Sequence, residues 1–346
     1  MKVVKIFQEG EYAITLAWDF WKEHLCIGTN FGDIMILNTQ FEMVRSWKGH
    51  EKAVCGLVFP LDGGLVSGSW DGSVKKWDLE MGMVEDTPAV VWARHLGGGS
   101  VIALAELPGG RVAAGCRDGT VRVLDLGTGQ EIMVCRGHTD WVRTVISLGD
   151  LGAGTKGYTT FASGSDDRTI RVWTTSPIGG ASEAEGGISS HVTPGRTVEV
   201  GSAVRSFFLS PCGGLVAAGC GDESVRLFRL PEWDTVWSVE VHTDWVWSVS
   251  FSPDGRFLAC ASDDGTVKIL SPETGIVLRT LECHTRWVKA VLFSQDGTKV
   301  ISSSTDQTLR VWPLFPDLDV QMASLIYGNK GSAFKKLYLK LQKEYL

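Results

Sequence analysis

The sequence lacks the features that define several large classes of protein. No stretch approaches the run of about 18 apolar residues that a membrane-spanning helix needs, and the N-terminal apolar run is too short for a signal peptide. Basic residues are not in excess, because 33 lysines and arginines face 40 acidic residues and the net charge is −7. We therefore expect no membrane span, no direct contact with nucleic acid, and a location in the cytoplasm or the nucleus.

Motifs that carry chemistry are equally scarce. The eight cysteines form no Cys-x-x-Cys pair, and no group of cysteines and histidines has the spacing of a metal site. The sequence also lacks the phosphate-binding Gly-x-x-x-x-Gly-Lys, the His-Glu-x-x-His of zinc peptidases and the Gly-x-Ser-x-Gly of serine hydrolases. We therefore predict no catalytic residue, no metal and no cofactor, and we expect the cysteines to be buried, reduced thiols.

Glycine and tryptophan, by contrast, are abundant, with 41 and 14 residues, and only 11 prolines interrupt the chain. This composition indicates tight turns between short, well-packed strands. One pattern of alternating apolar and polar residues around an aspartate recurs along the chain. The clearest copies are residues 65–77, 161–173 and 300–312, weaker copies are 112–124, 216–228 and 258–270, and a degenerate copy with Phe31 in place of the aspartate is 25–37.

The spacing of these copies is close to the roughly 40–45 residues of a four-stranded propeller blade. One blade cannot bury both of its faces alone, whereas blades stacked around an axis bury each other. We therefore predict an all-β, seven-bladed β-propeller over residues 1–315. Residues 3–8 align with the last strand of a blade, and the last recognisable strand ends at Trp312. We expect residues 3–8 to supply the outer strand of blade seven, which joins the two ends of the ring in one sheet.

The repeats resemble those of the WD-repeat family, in the Gly-His before a blade, the aspartate before its third strand and the tryptophan that ends that strand. The resemblance covers about residues 1–315. In that family a histidine, a serine or threonine, an aspartate and a tryptophan form a structural tetrad within one blade. By position, the complete tetrads are His50, Ser67, Asp71 and Trp77 in blade two, His138, Ser163, Asp167 and Trp173 in blade four, and His284, Ser302, Asp306 and Trp312 in blade seven.

These histidine–serine–aspartate sets also look like hydrolase triads. Their recurrence in register favours a buried, fully paired network that orders each turn. The remaining blades depart from the tetrad, with Leu124, Phe228 and Leu270 in place of the tryptophan and Ala114, Ala218 and Cys260 in place of the serine. We expect those blades to be held by apolar packing more than by a polar network.

The resemblance also implies a binding surface, since partners of WD-repeat propellers often dock on the face around the central channel. Each blade directs to this face two residues from the start of its first strand and one residue before the anchor aspartate. By position these include Trp70, Arg117, Trp141, Arg143, Asp166, Arg205, Trp245, Trp247, Asp263, Trp287 and Lys289. Tryptophan and arginine are the types most enriched at interface hot spots.

Two roles are open for these rim residues. The indoles could pack between blades and merely cover the channel. Alternatively, they form a surface for a peptide that carries arginine or lysine, through cation–π contacts and salt bridges to Asp166 and Asp263. We hypothesise that the rim from blade four to blade seven is the main binding site.

Three segments do not follow the repeat. Residues 174–199 are rich in small and polar residues and are predicted to form a flexible loop between the third and fourth strands of blade four, and 149–157 form a shorter glycine-rich insertion. Residues 316–346 form a tail that is predicted to be helical from about residue 333. One face of that helix carries Phe334, Leu337, Tyr338, Leu341 and Tyr345, with Lys335, Lys336, Lys340 and Lys343 mostly elsewhere. The helix could dock on the propeller, on a partner, or weakly on a membrane surface.

Together these observations predict a non-catalytic scaffold or adaptor that binds protein or peptide partners, as a monomeric propeller within a larger complex. An alternative within the family is a substrate receptor of a ubiquitin ligase, which often carries arginine two residues after Trp-Asp. Here Trp77-Asp78 is followed by Leu-Glu, so that signal is absent. An enzyme is the least favoured class, because the repeat accounts for every histidine–serine–aspartate set.

Overall fold

The computed structural model describes residues 1–19, 21–80, 87–149, 159–175, 189–192, 194–282 and 284–314. These residues form seven sheets, and no helix occurs among them. Each inner strand contacts the inner strand of the next sheet, and the last contacts the first, so the sheets close into a ring. The predicted seven-bladed, all-β propeller is therefore confirmed for the described part of the chain. The predicted helical tail lies outside the described residues.

In each blade the first strand lies at the central channel and the later strands step outward. The strands of the first half are β1 (Lys2–Val4) in blade seven; β2 (Ala13–Asp19), β3 (His24–Thr29), β4 (Asp33–Leu37) and β5 (Met43–Lys48) in blade one; β6 (Val54–Val58), β7 (Leu65–Ser69), β8 (Ser73–Asp78) and β9 (Ala89–His95) in blade two; and β10 (Val101–Leu107), β11 (Arg111–Cys116), β12 (Val121–Asp125) and β13 (Glu131–Cys135) in blade three.

The second half follows the same order, with one additional strand. Its strands are β14 (Val142–Gly149), β15 (Thr159–Ser165), β16 (Thr169–Thr175) and β18 (Arg196–Glu199) in blade four; β17 (Ser189–Val192), which joins blade three; β19 (Val204–Leu209), β20 (Leu215–Cys220), β21 (Ser224–Arg229) and β22 (Asp234–Glu240) in blade five; β23 (Val246–Phe251), β24 (Leu258–Ser262), β25 (Thr266–Leu270) and β26 (Val277–Glu282) in blade six; and β27 (Val288–Phe293), β28 (Lys299–Ser304) and β29 (Thr308–Pro313) in blade seven.

The N-terminus closes the ring, although over a shorter segment than predicted. β1 pairs antiparallel with β29, with Lys2 opposite Val311 and Val4 opposite Leu309. Residues 5–8 do not continue the strand, which corrects the predicted range of 3–8. Ile6 and Phe7 instead pack against the core between blades seven and one. The chain must turn there from the outer edge of one blade to the inner strand of the next.

The small residues of the second strands explain how the blades pack. A Cβ atom added at Gly68 would lie 2.7 Å from Val101 Cγ1 of the next blade, and one added at Gly164 would lie 2.6 Å from Val204 Cγ1. Both distances are shorter than real carbon–carbon contacts. The glycine of the repeated Ser-Gly-Ser therefore makes room for the valine that begins the next inner strand.

The predicted loop 174–199 contains strands, which is a correction. Thr174 and Thr175 end β16, and β18 is the outer strand of blade four. β17 pairs in parallel with β13, so blade three has five strands. The last three residues of β13 are buried, whereas the outer strands β5, β9, β22 and β26 are mostly exposed. Residues 150–158 and 176–188 of the two insertions lie outside the described residues.

Candidate functional site

The turns around the channel are ordered by the tetrads. In blade four, His138 Nδ1 lies 2.8 Å from Asp167 Oδ2, His138 Nε2 lies 2.8 Å from Ser163 Oγ, and Trp173 Nε1 donates to the same Oγ over 2.7 Å. Equivalent bonds of 2.7–3.0 Å join His50, Ser67, Asp71 and Trp77 in blade two and His284, Ser302, Asp306 and Trp312 in blade seven. The network thus ties the loop before a blade to its second and third strands.

Burial gives these networks their protonation states. Burial lowers the pKa of His50 to about 4, against the opposing charge of Asp71. Burial also opposes ionisation of Asp71, but hydrogen bonds from Ser73 and the charge of His50 outweigh it and lower the pKa of Asp71 to about 2. The three tetrad serines have no exposed surface. A serine that is closed off from solvent and already accepts an indole N–H cannot reach a substrate.

Blades three and five, which were expected to be held by apolar packing more than by a polar network, also contain a polar pair of a different kind. Arg122 Nη2 lies 3.6 Å from Asp118 Oδ2 in blade three. In blade five, Arg226 forms an ion pair with Asp222 and donates to the carbonyl of Val200, at the position of the missing histidine. A guanidinium from the third strand therefore takes the place of the imidazole from the preceding loop.

Blade six preserves most of the polar network of the tetrad. His242 Nδ1 lies 2.8 Å from Asp264 Oδ2, and His242 Nε2 lies 3.1 Å from Cys260 Sγ. The thiol stands where the tetrad has its serine hydroxyl. Burial raises the pKa of Cys260 well above its usual range, so the sulfur is present as the neutral thiol. Leu270 fills the place of the indole and is fully buried.

The inner strands enclose a central channel of about 1600 Å³. Its mouth, on the side of the anchor turns, differs between the two halves of the ring. In the first three blades, the wall near the mouth carries Tyr12, Ile14, Cys55, Ile102 and one indole, Trp70. In the last four blades it carries Trp141, Arg143, Arg205, Trp247, Trp287 and Lys289. Charge and indole area are therefore concentrated on blades four to seven.

The charged residues of the mouth are paired with one another. Asp166 accepts from Arg143 Nη2 at 2.7 Å and from Arg205 Nη1 at 2.8 Å. Lys289 Nζ lies 2.9 Å from Asp263 Oδ1. The side chains of all five residues are at most 15% exposed. A ligand with arginine or lysine would have to displace these internal cations to reach either carboxylate, so the geometry disfavours the hypothesised salt bridges.

Trp247 lies at the centre of this ion network. Its ring centroid is 4.0 Å from Lys289 Nζ, 5.0 Å from Arg205 Cζ and 5.9 Å from Arg143 Cζ. Burial lowers the pKa of Lys289 and of Arg205, although both have acidic neighbours. The buried Nε1 of Trp247 finds no hydrogen-bond partner among the described residues. The indole face holds three cations together in a poorly solvated site.

The other indoles of the rim are stacked but still accessible. Trp245 is 43% exposed, with Arg205 Cζ 4.3 Å from its ring centroid, and Trp287 is 54% exposed, with Lys289 Nζ at 4.7 Å. Each cation restricts the indole without covering it. The rim therefore presents fixed aromatic surface to solvent.

The remaining predicted rim residues occupy two places. Trp141 lies between two guanidiniums, with Arg117 Cζ at 4.4 Å and Arg143 Cζ at 4.2 Å. Trp70, 43% exposed, lines the same channel from blade two, where its carbonyl accepts from Ser100 Oγ at 3.0 Å. The structure thus brings the predicted rim residues together around the channel mouth. Among the described residues no group of histidine, cysteine and acidic side chains could hold a metal ion.

Sequence models of two families match the repeats. The model of the WD domain, G-beta repeat, matches residues 41–78 and 129–174, which span the tetrads of blades two and four. That of the anaphase-promoting complex subunit 4 WD40 domain matches residues 207–296, from blade five into blade seven. The matched residues all lie within the blades of the propeller.

The chain belongs to the WD-repeat family.

Curated relatives of this WD-repeat propeller differ in what they are named for. The Nuclear distribution protein PAC1 of Arthroderma benhamiae is 33% identical over 61% of the chain and 48% of its own length. The DENN domain and WD repeat-containing protein SCD1 of Arabidopsis thaliana is 26% identical over 53% of the chain and 14% of its own length. The Ribosome biogenesis protein WDR12 homolog of Chlamydomonas reinhardtii is 27% identical over 36% of the chain and 38% of its own length. The matches thus span less than half of each relative, and the shared property is the propeller.

One exposed aromatic residue on this face is not among the predicted rim residues. Phe31 is 42% exposed in the turn between β3 and β4, on the same face as the rim indoles. Thr29 Oγ1 caps this turn by accepting from the backbone N–H groups of Phe31 and Asp33. The signal was present in the sequence, because an aromatic residue replaces the anchor aspartate there. Exposed aromatic surface therefore continues from blades six and seven to blades one and two.

Proposed function

We propose that this WD-repeat propeller is a protein-interaction scaffold that binds an extended segment of a partner across the channel mouth. The observation that carries the proposal is the exposure of Trp245 and Trp287, although stacked cations hold both in place. Burying an indole is strongly favourable, and folding alone does not require these two to face solvent. Large, preordered aromatic groups are typical anchors of protein interfaces, because little side-chain entropy is lost on binding.

The exposed aromatic residues indicate a binding surface on blades six, seven, one and two, whereas the sequence predicted one on blades four to seven. Trp245, Trp287, Phe31 and Trp70 lie on four successive blades, six, seven, one and two. The ion network on blades four to seven forms the rigid base beside them, with its carboxylates already occupied. We therefore expect apolar and aromatic side chains of the partner to provide the main contacts. Relatives named for nuclear distribution and ribosome biogenesis share the scaffold without sharing a process, so no pathway is assigned.

The test compares two faces of the same propeller. Trp245→Ala combined with Trp287→Ala should reduce the recovery of partners by about tenfold or more, since interface hot spots are worth about 2 kcal/mol or more. Recovery is measured by affinity purification of the tagged full chain with quantitative mass spectrometry. Trp21→Ala is the matched control, because Trp21 is also 54% exposed but lies between β2 and β3, at the other end of the channel.

The thermal unfolding temperature of both variants should stay close to that of the unmodified chain, because exposed side chains contribute little to stability. Undiminished recovery with the double variant, or equal losses with Trp21→Ala, would show that the channel mouth is not the binding surface.

A further inference from the structure

The ion network at the channel mouth carries more positive than negative charge. Its cations are Arg143, Arg205 and Lys289, and its carboxylates are those of Asp166 and Asp263. Because these side chains are largely buried, water and salt screen their charges less than they screen charges on the surface. One cation of the network therefore has no carboxylate of its own.

Arg205 is the cation whose hydrogen bonding is least complete. It shares Asp166 with Arg143, which binds that carboxylate through both Nε and Nη2, at 2.8 and 2.7 Å. The side chain of Arg205 is only 7% exposed, and its buried Nε finds no hydrogen-bond partner in the part of the chain that the structure describes. The same holds for Trp247 Nε1, whose ring centroid lies 5.0 Å from Arg205 Cζ. A buried donor without an acceptor is costly, which indicates that an acceptor arrives with a ligand.

Lys289 also has donors that are not used. Its ammonium group has three N–H donors, and among the described residues its only hydrogen bond is to Asp263 Oδ1, at 2.9 Å. The rings of Trp247 and Trp287, with centroids 4.0 and 4.7 Å from Nζ, attract the charge but offer no acceptor oxygen. Lys289 lines the channel, so it can donate to an oxygen atom that enters the mouth.

Two further carboxylates near the network do not supply the missing acceptor. Asp140 and Asp244 each accept from the backbone N–H of the following residue, over 2.8 Å. Within the described residues, no ion pair joins either of them to Arg205 or Lys289. Burial lowers the pKa of Arg205 and of Lys289, although these carboxylates oppose the shift. A further anion would therefore stabilise both cations.

We propose that the channel mouth binds the carboxylate of an aspartate or glutamate side chain of the partner, at Arg205 and Lys289. This inference rests on the proposed function, because the carboxylate belongs to the segment that the exposed indoles bind. Arg205 Cζ lies 4.3 Å from the ring centroid of Trp245, and Lys289 Nζ lies 4.7 Å from that of Trp287. A carboxylate that meets both cations therefore lies beside both exposed indoles.

The charge of the network also selects among anions. A carboxylate carries one negative charge, which matches the one unmatched cation, whereas a phosphorylated side chain carries nearly two. The ligand charge is then opposite to the one predicted from the sequence, which paired an arginine or lysine of the partner with Asp166 and Asp263.

The experiment first selects peptides and then compares their charge. The full chain is used to select from a displayed library of random peptides of about 12 residues, which span roughly 40 Å when extended. Peptides that also bind Trp245→Ala combined with Trp287→Ala are removed. The remaining peptides should be enriched in aspartate and glutamate by roughly threefold or more, because an interface rejects like charges. They should also be depleted of lysine and arginine.

The selection distinguishes this inference from the proposed function. A library that yields no peptide dependent on Trp245 and Trp287 would overturn both. Peptides that depend on these indoles but show no enrichment in acidic residues would overturn this inference and leave the proposed function standing.

Substitutions then separate charge from folding. The affinity of one selected peptide, with both ends blocked so that its only carboxylates are side chains, is measured by fluorescence anisotropy. Lys289→Met should weaken binding by about tenfold, because a charge-assisted hydrogen bond is lost. Asp263→Asn should strengthen binding, by roughly twofold or more, because it leaves more positive charge unmatched. Damage to the fold would weaken binding in both variants, and circular dichroism monitors folding.

The controls use the peptide and the other end of the channel. Glutamine in place of the acidic residue of the peptide should weaken binding by about tenfold without any change to the protein. Phosphoserine at that position should bind no more tightly than glutamate. Lys22→Met is the matched control, since Lys22 is 41% exposed between β2 and β3, and it should leave the affinity unchanged. Equal binding of the glutamine peptide, tighter binding of the phosphoserine peptide, or weaker binding by Asp263→Asn would each overturn the proposal.

Discussion

Blades four and three build the same antiparallel unit of four strands around different polar groups, and β17 adds a fifth strand to blade three. In blade four the imidazole of His138 lies between Asp167 and Ser163, and the Trp173 indole donates to the serine. In blade three Arg122 pairs with Asp118, and Leu124 and Ala114 take the places of the indole and the serine.

The constant element of the two blades is the aspartate that accepts from its own turn. Thr169 N donates to Asp167 Oδ1 over 3.0 Å, and Thr120 N donates to Asp118 Oδ1 over 2.9 Å. The anchor aspartate therefore orders the turn in both blades, whereas the rest of the tetrad is one of several ways to satisfy it. Substitutions that place the residues of one blade at the matching positions of the other should show whether the two polar arrangements are interchangeable.

The largest effect is expected from the indole. Trp173→Ala should lower the free energy of unfolding by about 3–5 kcal/mol, because it leaves a cavity in a fully buried site. It also removes the donor to Ser163 Oγ. Leu124→Ala in blade three should cost less, because no polar group loses a partner there. Urea unfolding followed by tryptophan fluorescence measures both changes, and a larger loss for Leu124→Ala would contradict the comparison.

A hydroxyl group at the serine position should stabilise blade four and destabilise blade three. Ser163→Ala should cost about 1–3 kcal/mol, because the indole N–H and His138 lose a buried partner. Ala114→Ser should also destabilise, by a similar amount, because blade three has neither histidine nor indole to bind a new hydroxyl. The midpoints of urea unfolding test this pair. A stabilising Ala114→Ser would mean that the hydroxyl finds another partner and that the two sites are equivalent.

The smallest effect is a dependence on pH that arises from the buried histidines of the three complete tetrads. Burial lowers the pKa of His50 to about 4, whereas an unfolded histidine titrates near 6.5, so protonation favours the unfolded chain. Stability is therefore complete above pH about 6.5 and is lost as the pH falls toward 4. Between pH 7.5 and pH 6 the loss from this site should be about 1 kcal/mol.

Urea unfolding of the unmodified chain and of His50→Gln at the two pH values measures how much of the loss of stability comes from His50. The loss between pH 7.5 and pH 6 should be smaller in His50→Gln, although that variant is less stable at both. An identical loss in both proteins would assign the pH dependence to other groups.

Much of the fold was predictable because its signals are local and repeated. The tetrad of each blade lies within one repeat, where strand alternation and a tight turn bring aspartate and tryptophan into register. The pairing of the N-terminal strand with blade seven was predictable for the same reason, since the first strand resembles the last strand of the other blades. Residues 5–8 were not, because the turn toward blade one is set by packing against the neighbouring blades.

The candidate site was predictable in its membership and not in its electrostatics. Position within the repeat brought Trp245, Trp247 and Lys289 to one rim. It could not show that Asp166 and Asp263 are occupied by the chain's own cations, because Arg205 and Lys289 reach them from the next blade. Phe31 was missed because the prediction considered the residue before the anchor aspartate, whereas Phe31 occupies the position of the aspartate itself.

The sequence by itself thus determined the number of blades, the anchor turns and the face that carries the indoles, because each depends on contacts within one repeat. Only the tertiary structure decided how the deviating blades satisfy their aspartates, which carboxylates of the rim are occupied, and that β17 covers the edge of blade three. Asp118 and Arg122, like Asp222 and Arg226, are only four residues apart, and the fold of the turn decides that they meet. Arg205 with Asp166, Lys289 with Asp263, and β17 with β13 are distant in sequence and meet only when the blades assemble. Their energies depend on distance and burial, which the order of residues does not contain.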